Sequence, residues 1–290
     1  MPEHFAAPPN WGYWILAYFF FGGIAGGSYA IGTLIRRVGA AADQALARRA
    51  FIVSFLALLV CPLFLIADLG RPDRFLNLLF DASEGGLAFK VGTPISLGAW
   101  ALLVFGLFSF VSFLGAMGEG STGPLTPISK MLKGGAGFVW NAIGTLFGLF
   151  IAGYTGVLLA ASNVAVWADA GWVLGGLFLA SGLAGSAALL LLLSGAGPSA
   201  ARLETADRNF AMLEALLVVL FLVSVAIAGT LGRVLGVWLV LWLVVALGIA
   251  APLLASRMDV ARRWAPTTAP ALTLLGVLAL RALVIFSAQS

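Results

Sequence analysis

The sequence predicts an all-α polytopic membrane protein with eight transmembrane helices in two four-helix bundles. Of the 290 residues, 61% are hydrophobic and only 10% are charged, which excludes an ordinary soluble globular domain. A helix needs about 20 apolar residues to cross the hydrocarbon layer of a membrane, so the chain has room for eight such helices with short connections. An internal repeat, described below, divides these helices into two sets of four.

Eight apolar stretches of sufficient length follow one another along the chain. They cover approximately residues 11–35, 50–68, 93–116, 134–160, 170–194, 209–229, 234–255 and 269–288. The first stretch lacks the positively charged leader and the small-residue cleavage site of a signal peptide. We therefore expect it to be retained as a membrane-spanning helix.

The lysines and arginines predict the orientation of these helices. The loops after helices 1, 3, 5 and 7 hold eleven of them, whereas the opposite loops hold four. Because an even number of spans puts both termini on one side, the positive-inside rule makes the eleven-charge face cytoplasmic. We therefore expect a multi-pass protein of the bacterial cytoplasmic membrane with both termini on the outer, periplasmic side. The net charge of +4 then reflects topology rather than nucleic-acid binding.

A shift of 159 residues aligns the two halves of the chain. Residues 12–14 then fall on 171–173, and the glycine cluster at 23–27 falls on 182–186. Because each copy has four spans, the repeat is parallel. We expect residues 1–133 and 134–168 to form the first bundle and residues 169–290 the second. The alternative is chance matching among apolar residues, in which case the glycines serve only close helix packing.

The supply of metal ligands limits the chemistry. The chain has one histidine, His4, and one cysteine, Cys61. Haem held by paired histidines, iron–sulfur clusters and disulfides each need more such residues. We therefore expect this chain to bind no haem or metal, so that the metals of any redox reaction lie on partner subunits.

Two ionisable residues lie in the outer halves of predicted helices, where a charge costs roughly 2.5 to 3.5 kcal/mol at a helix centre. Asp68 ends helix 2 and either pairs with Arg71 or Arg74 at the membrane edge or handles protons. Arg281 lies inside helix 8. It either serves a functional site or ties this helix to a carboxylate such as Asp68 or to backbone carbonyls.

Glu214 is the third ionisable residue inside a predicted helix. The apolar stretch at 209–229 places it about one and a half turns from the cytoplasmic end of helix 6. It either reaches the charges of Arg202 or Arg208 at that end, or forms a step on a proton path from the cytoplasm. Asp68 and Glu214 are thus the candidates for proton transfer.

Two tyrosines lie at a similar depth in the membrane. Tyr18 and Tyr154 are each about two turns from the outer ends of helices 1 and 4, in the same outer half of the bilayer as Asp68 and Arg281. A buried tyrosine needs a partner for its hydroxyl, so the two either bond each other or line a pocket for an apolar ligand with a polar head.

Four segments at these residues carry a resemblance to a known family, and Glu214 and Arg281 with Gln289 add weaker support. The segments are residues 21–27 (FGGIAGG), 67–75 (ADLGRPDRF), 93–100 (TPISLGAW) and 154–159 (YTGVLL), the last followed by Asn163 and Trp167. In this combination the sequence resembles the NrfD/PsrC group of membrane subunits, named for nitrite reductase and polysulfide reductase complexes. One departure is at residues 164–166 (VAV), where typical members have a proline.

The resemblance implies a quinone-reactive subunit with its quinone site in the first bundle. A ferredoxin-like iron–sulfur subunit would dock beside that site and connect it to a molybdopterin catalytic subunit. The chain would then exchange electrons with a menaquinone or ubiquinone pool, with or without proton translocation. The 24-residue connection from Leu69 to Gly92 is long and carries both signs of charge, which suits docking.

The resemblance also implies roles for single residues. Tyr154 resembles the tyrosine that contacts the quinone head, and Asp68 matches an acidic position near the site that is proposed to handle protons. These two are the candidate catalytic residues. Tyr18 stands where some members have histidine, and Arg71 and Arg281 complete the expected quinone-binding set.

Two other functions remain open from the residues alone. An ion- or solute-translocating protein is favoured by the repeat and by the ionisable residues inside the spans, but predicted helices 3, 5 and 7 contribute none of these. A passive anchor for a peripheral enzyme needs no site at all. Quinone turnover instead needs hydrogen-bond donors and a titratable group, and Tyr154 and Asp68 are of these types.

Overall fold

The computed structural model describes residues 10–69, 75–77, 79–81, 86–87, 94–194, 198–255 and 265–290. Within these ranges eight segments are long and apolar enough to span a membrane. Their helices are α1 (Tyr13–Val38), α2 (Gln44–Asp68), α3 (Pro94–Met117), α5 (Gly135–Ala160), α7 (Trp172–Ser194), α8 (Pro198–Ile227), α10 (Leu239–Ala255) and α11 (Ala265–Ser287). The prediction of an all-α membrane protein with eight spans is confirmed.

Short elements connect these helices. They are the helices α4 (Thr126–Met131), α6 (Ala165–Ala170) and α9 (Leu231–Leu235), the 3₁₀ turns Ala41–Asp43 and Gly236–Trp238, and the strands β1 (Phe80–Asp81) and β2 (Gly86–Leu87). The two strands pair antiparallel in the connection between α2 and α3. The described connections are too small to form a separate domain.

One helix differs clearly from its predicted bounds. Helix α8 begins at Pro198 rather than near residue 209, because its first turns are polar and escape a search for apolar stretches. Proline is well suited to the first turn of a helix, where its missing N–H is not needed. The earlier start moves Glu214 from near the cytoplasmic end to the middle of the helix.

The spanning helices pack as two sets with the same internal order. In the first set α1 contacts α2 and α5, and α3 contacts the same two helices; in the second set α7 contacts α8 and α11, and α10 contacts those two. Helix α7 joins the sets by packing against α1 and α5. This order agrees with the predicted division into two bundles, which stays a prediction together with the repeat.

Pairs of residues 159 positions apart meet where the two sets join. A Cβ atom added to Gly182 would lie 3.1 Å from the Cα of Gly23, so the α1–α7 crossing has no room for a side chain there. Nη1 of Arg202 donates a hydrogen bond of 2.6 Å to Oδ2 of Asp43. Contacts between equivalent positions are expected at an approximate two-fold axis, so both favour the parallel repeat.

The two ends of the described chain are joined beside α6. The backbone N–H of Trp11 donates to Oε1 of Gln289 at 2.8 Å, and Nε2 of Gln289 donates to the Trp11 carbonyl at 3.0 Å. The indole of Trp167 stacks on Trp11 with ring centroids 5.2 Å apart and donates to the Val284 carbonyl at 2.7 Å. Helices α1, α6 and α11 are thereby fastened together at this membrane face.

Candidate functional site

Tyr154 is held tightly between α5 and α3. Its ring lies directly on Gly98, where any Cβ atom would overlap it, and stacks on Phe150 with ring centroids 5.4 Å apart. Its hydroxyl donates a hydrogen bond to the carbonyl of Pro94, the first residue of α3. Packing against Gly98 and Phe150 therefore fixes the Tyr154 ring, and its hydroxyl lies at the start of α3.

Tyr18 lies next to Tyr154 but has no comparable partner. Its side chain is 2% exposed and close enough to Cys61 and Tyr154 to interact with them electrostatically. The thiol of Cys61 donates to the Ala57 carbonyl at 3.3 Å instead. Among the hydrogen bonds of the described residues, none involves the Tyr18 hydroxyl. The predicted convergence of the two tyrosines is observed, whereas a hydrogen bond between them is not.

Aromatic rings line the α1–α2 side of this position. Phe64 stacks on Trp14 and on Phe21, with ring centroids 6.1 and 5.8 Å apart. Trp14 is exposed at the surface that faces lipid, and the other two rings are half-buried. The three rings form a stacked row on the same two helices that carry Tyr18 and Cys61. Such a surface suits a planar apolar molecule.

Asp68 is half-buried at the last position of α2. Within the described part of the chain no hydrogen bond or ion pair joins it to Tyr18 or Tyr154. Arg71 and Arg74 lie outside the described residues, so the expected Asp68–arginine pair and the quinone-binding role of Arg71 stay predictions. The structure thus supports the depth of Asp68 but not a direct contact with the tyrosines.

Arg281 is 0% exposed and bonds mainly to backbone. Its guanidinium donates to the carbonyls of Phe19, Phe178 and Val277, each at 3.2 Å, and to Oγ of Ser181 at 2.7 Å. It therefore ties α11 to α1 and α7. Of the two structural alternatives, the ties to backbone carbonyls are observed, and among the described residues no hydrogen bond or ion pair joins Arg281 to Asp68.

Glu214 is the charged neighbour of this arginine. The residue is 2% exposed and interacts with the Ser181 hydroxyl and with the positive charge of Arg281. Contact with Arg202 or Arg208, one of the two alternatives for Glu214, is not observed: Arg202 pairs with Asp43, and Arg281 is the cation beside Glu214. Ser181 thus connects a buried carboxylate of α8 to a buried guanidinium of α11.

A second buried carboxylate on α8 escaped the sequence analysis. Asp207 is 2% exposed, and its Oδ1 has no hydrogen-bond partner in the described structure. It lies seven residues before Glu214, about two helical turns, so both face the same side and interact electrostatically. The predicted helix began after Asp207 and hid this spacing. Extending the helix into the preceding polar residues would have revealed it.

Comparison with known proteins identifies the family. Residues 2–290 match the family described as "Polysulphide reductase, NrfD". The chain belongs to the NrfD family. A relative of this NrfD-family chain is a selenate reductase subunit of Mesobacillus selenatarsenatis, which is 31% identical over 70 residues. The matched region covers 24% of the present chain and 16% of the length of that relative.

The membership agrees with the fold. This NrfD-family chain has eight segments long and apolar enough to span a membrane, and it is a multi-pass membrane protein. Among the described residues of this NrfD-family chain, no three histidine, cysteine or carboxylate side chains are grouped to hold a metal ion. Two groups of polar side chains lie inside the spans: the Tyr18–Tyr154 pair in the first set, and Asp207, Glu214 and Arg281 in the second.

Proposed function

We propose that this chain exchanges electrons between a docked iron–sulfur subunit and membrane menaquinone or ubiquinone, at a site beside Tyr18 and Tyr154. The Tyr18 hydroxyl carries the proposal. It has no hydrogen-bond partner among the described residues although the Tyr18 side chain is 2% exposed, and it lies near the phenol of Tyr154, so a ligand that accepts its hydrogen bond is favoured here. A quinone has the carbonyl acceptors and the planar ring that fit these groups.

Tyr154 can serve such a ligand without a change in its ring position. Its hydroxyl donates to the Pro94 carbonyl and interacts with the backbone N–H of Gly98, so it lies at the first turn of α3. Rotation of the phenolic O–H would redirect this single donor from the Pro94 oxygen to a quinone carbonyl. The ring stays in place because Gly98 and Phe150 hold it.

Proton supply to this site is assigned to Asp68. A bound quinone would supply two-electron, two-proton chemistry, and its protons need a titratable group in reach of water. Asp68 is at the membrane face, half-buried at the end of the helix that also carries Cys61. It can pass protons between water and the tyrosine pair without itself contacting the ring. Arg71 stays in the proposal as a cation beside Asp68 in sequence.

The substitution Tyr18→Phe tests the site directly. It removes an unpaired hydroxyl, so we expect an unchanged or slightly higher melting temperature of the purified complex together with weaker quinone binding, by up to about tenfold for one lost hydrogen bond. Tyr13→Phe is the matched control, because Tyr13 is exposed near the same end of α1. Unchanged quinone affinity in Tyr18→Phe would overturn the site.

The partners and the location complete the proposal. We assign the chain to a bacterial cytoplasmic membrane with both termini outside, where a ferredoxin-like subunit and, through it, a catalytic subunit would dock. Mass spectrometry of the proteins that co-purify with the chain tests this assembly. Recovery of the chain without any iron–sulfur protein would contradict it and favour a stand-alone membrane protein.

Proton translocation is a second candidate function. It is favoured by the row of Asp207, Glu214, Ser181 and Arg281, which begins about a third of the way along α8 and continues to α7 and α11. Placing two carboxylates on one buried helix face raises the free energy of membrane insertion by several kcal/mol. A purely structural anchor does not need these carboxylates. In this proposal Asp207 receives protons from the cytoplasm and Glu214 passes them on.

A further inference from the structure

A cavity opens where α1 ends and α5 begins, at the membrane face opposite to Tyr154. Its volume is about 700 Å³. The polar side chains that line it include Thr33, Arg36, Arg37, Glu119, Lys133 and Asn141. It is therefore a basic cavity at the level where lipid headgroups lie, and it is separate from both sites described above.

The charges in this cavity are only partly neutralised. Arg36 pairs with Glu119 at 2.5 Å. The guanidinium of Arg37 lies 5.2 Å from the centroid of the Phe138 ring, and Lys133 is exposed. Neither Arg37 nor Lys133 forms an ion pair with any described residue. The cavity thus presents two uncompensated positive charges.

The floor of the cavity offers a buried hydrogen-bond donor. Asn141 is 4% exposed, and its Oδ1 accepts hydrogen bonds from Tyr29 and Ser112, each at 3.4 Å. Its side-chain NH₂ donates none of the hydrogen bonds found among the described residues. A polar donor that is more than nine-tenths buried and lines a basic cavity is suited to an anionic oxygen.

We propose that this cavity binds the phosphate group of an anionic phospholipid. Arg37 and Lys133 would hold the phosphate, and Asn141 would donate to an oxygen of the headgroup. A lipid is favoured over free phosphate because exposed apolar side chains of the same two helices, Leu34, Phe138 and Val139, offer a surface along which acyl chains can lie. Basic pockets between membrane helices are a general mode of anionic lipid recognition.

Native mass spectrometry of the full chain in detergent tests this site, with phosphatidylglycerol, phosphatidylcholine and inorganic phosphate as probes. We expect phosphatidylglycerol to bind more tightly than phosphatidylcholine. Arg37→Gln and Lys133→Gln should each weaken that binding by about fivefold, the contribution of one basic residue near an anionic headgroup. Lys130→Gln is the matched control, since Lys130 is exposed at the same face but outside the cavity.

Three results would overturn the proposal. Equal weakening by Lys130→Gln would show general surface charge instead of a site. Equal affinity for phosphatidylcholine would show that the anionic charge of the lipid is not recognised. Displacement of phosphatidylglycerol by inorganic phosphate would make a free anion the ligand. Because Lys133 is exposed, its substitution should leave the melting temperature unchanged, which keeps loss of binding separate from loss of folding.

Discussion

The hydroxyls of Tyr18 and Tyr154 in the first helix set are expected to affect the stability of the fold in different ways. The Tyr154 hydroxyl has a backbone acceptor, whereas the Tyr18 hydroxyl has no partner among the described residues. Removal of the first deletes an interaction of the folded protein, and removal of the second deletes only the cost of burying a polar group. Phenylalanine at these two positions should therefore act alike on quinone binding and differently on stability.

We predict that Tyr154→Phe lowers the melting temperature slightly and weakens quinone binding. Each lost hydrogen bond should cost about 0.5 to 1.5 kcal/mol, which corresponds to at most roughly a tenfold loss of affinity. Steady-state quinone kinetics and thermal unfolding of the purified complex measure the two effects. The site would have to lie elsewhere if the Tyr154→Phe complex kept the quinone kinetics of the parent.

Arg281 illustrates how a charge is kept inside lipid. Its guanidinium satisfies acceptors on α1, α7 and α11 at once and lies 5.2 Å from the centroid of the Phe178 ring. A lysine has the same charge but only three donors at one atom, so it cannot reach the same acceptors. The geometry of the side chain, and not its charge alone, holds the two helix sets together.

We predict that Arg281→Lys destabilises the protein by about 1 to 3 kcal/mol, because at least one buried acceptor loses its donor. Thermal unfolding in detergent measures this change. Arg49→Lys is the control, since Arg49 is exposed and donates a single hydrogen bond of 3.0 Å to the Leu193 carbonyl. Equal melting temperatures of the Arg281→Lys protein and the parent would contradict the structural role.

At the scale of elements, helix α8 carries the second polar site on a single face. Asp207 and Glu214 point inward, whereas Glu204, one turn before Asp207, is exposed. The inward face therefore leads from the helix start toward Ser181 and Arg281 in the membrane interior. A helix that extends beyond the membrane can collect protons at its polar turns and deliver them along its buried face.

We predict that Asp207→Asn and Glu214→Gln leave quinone reduction by a chemical donor nearly intact but reduce charge separation across the membrane. Each substitution keeps the size of the side chain and removes its ability to exchange a proton. Membrane potential per turnover in proteoliposomes is the measurement, and Glu204→Gln is the control on the same helix. A parent protein that generates no potential, or variants that generate as much as the parent, would make both carboxylates structural.

At the scale of the whole molecule, orientation decides which site faces which compartment. In the sequence, the loops on one side of the spans hold eleven lysines and arginines and those on the other side hold four, so in the proposed orientation the cavity at the end of α1 would face the cytoplasm and the tyrosine site the outside. Quinone chemistry and its proton supply through Asp68 would then lie on the outer side. Proton entry at Asp207, in the second candidate function, would lie on the cytoplasmic side.

We predict that a cysteine at Asn10 is labelled by an impermeant maleimide from outside the cell, whereas a cysteine at Ser121 is labelled only after the membrane is opened. Both positions are exposed, and they lie on opposite faces of the bundle. Cys61 is fully buried and should stay unlabelled in the parent. The reverse pattern of labelling would invert the orientation and place the tyrosine site on the cytoplasmic side.

The sequence by itself determined the eight spans and the common depth of Tyr18 and Tyr154. Both follow from hydropathy and from the constant rise of a helix, which are local properties. The family was also within its reach, because residues 21–27, 67–75 and 154–159 carry the resemblance.

Only the tertiary structure decided which side chains meet. The contacts of Arg281 with Ser181, of Tyr154 with Gly98 and of Asp43 with Arg202 join different helices. Helices α3 and α7 are apolar on nearly every side, so their sequences contain no stripe that tells which face turns inward. The rotation of each helix is set by close packing of small residues against neighbours far away in the chain, and a linear pattern does not record it.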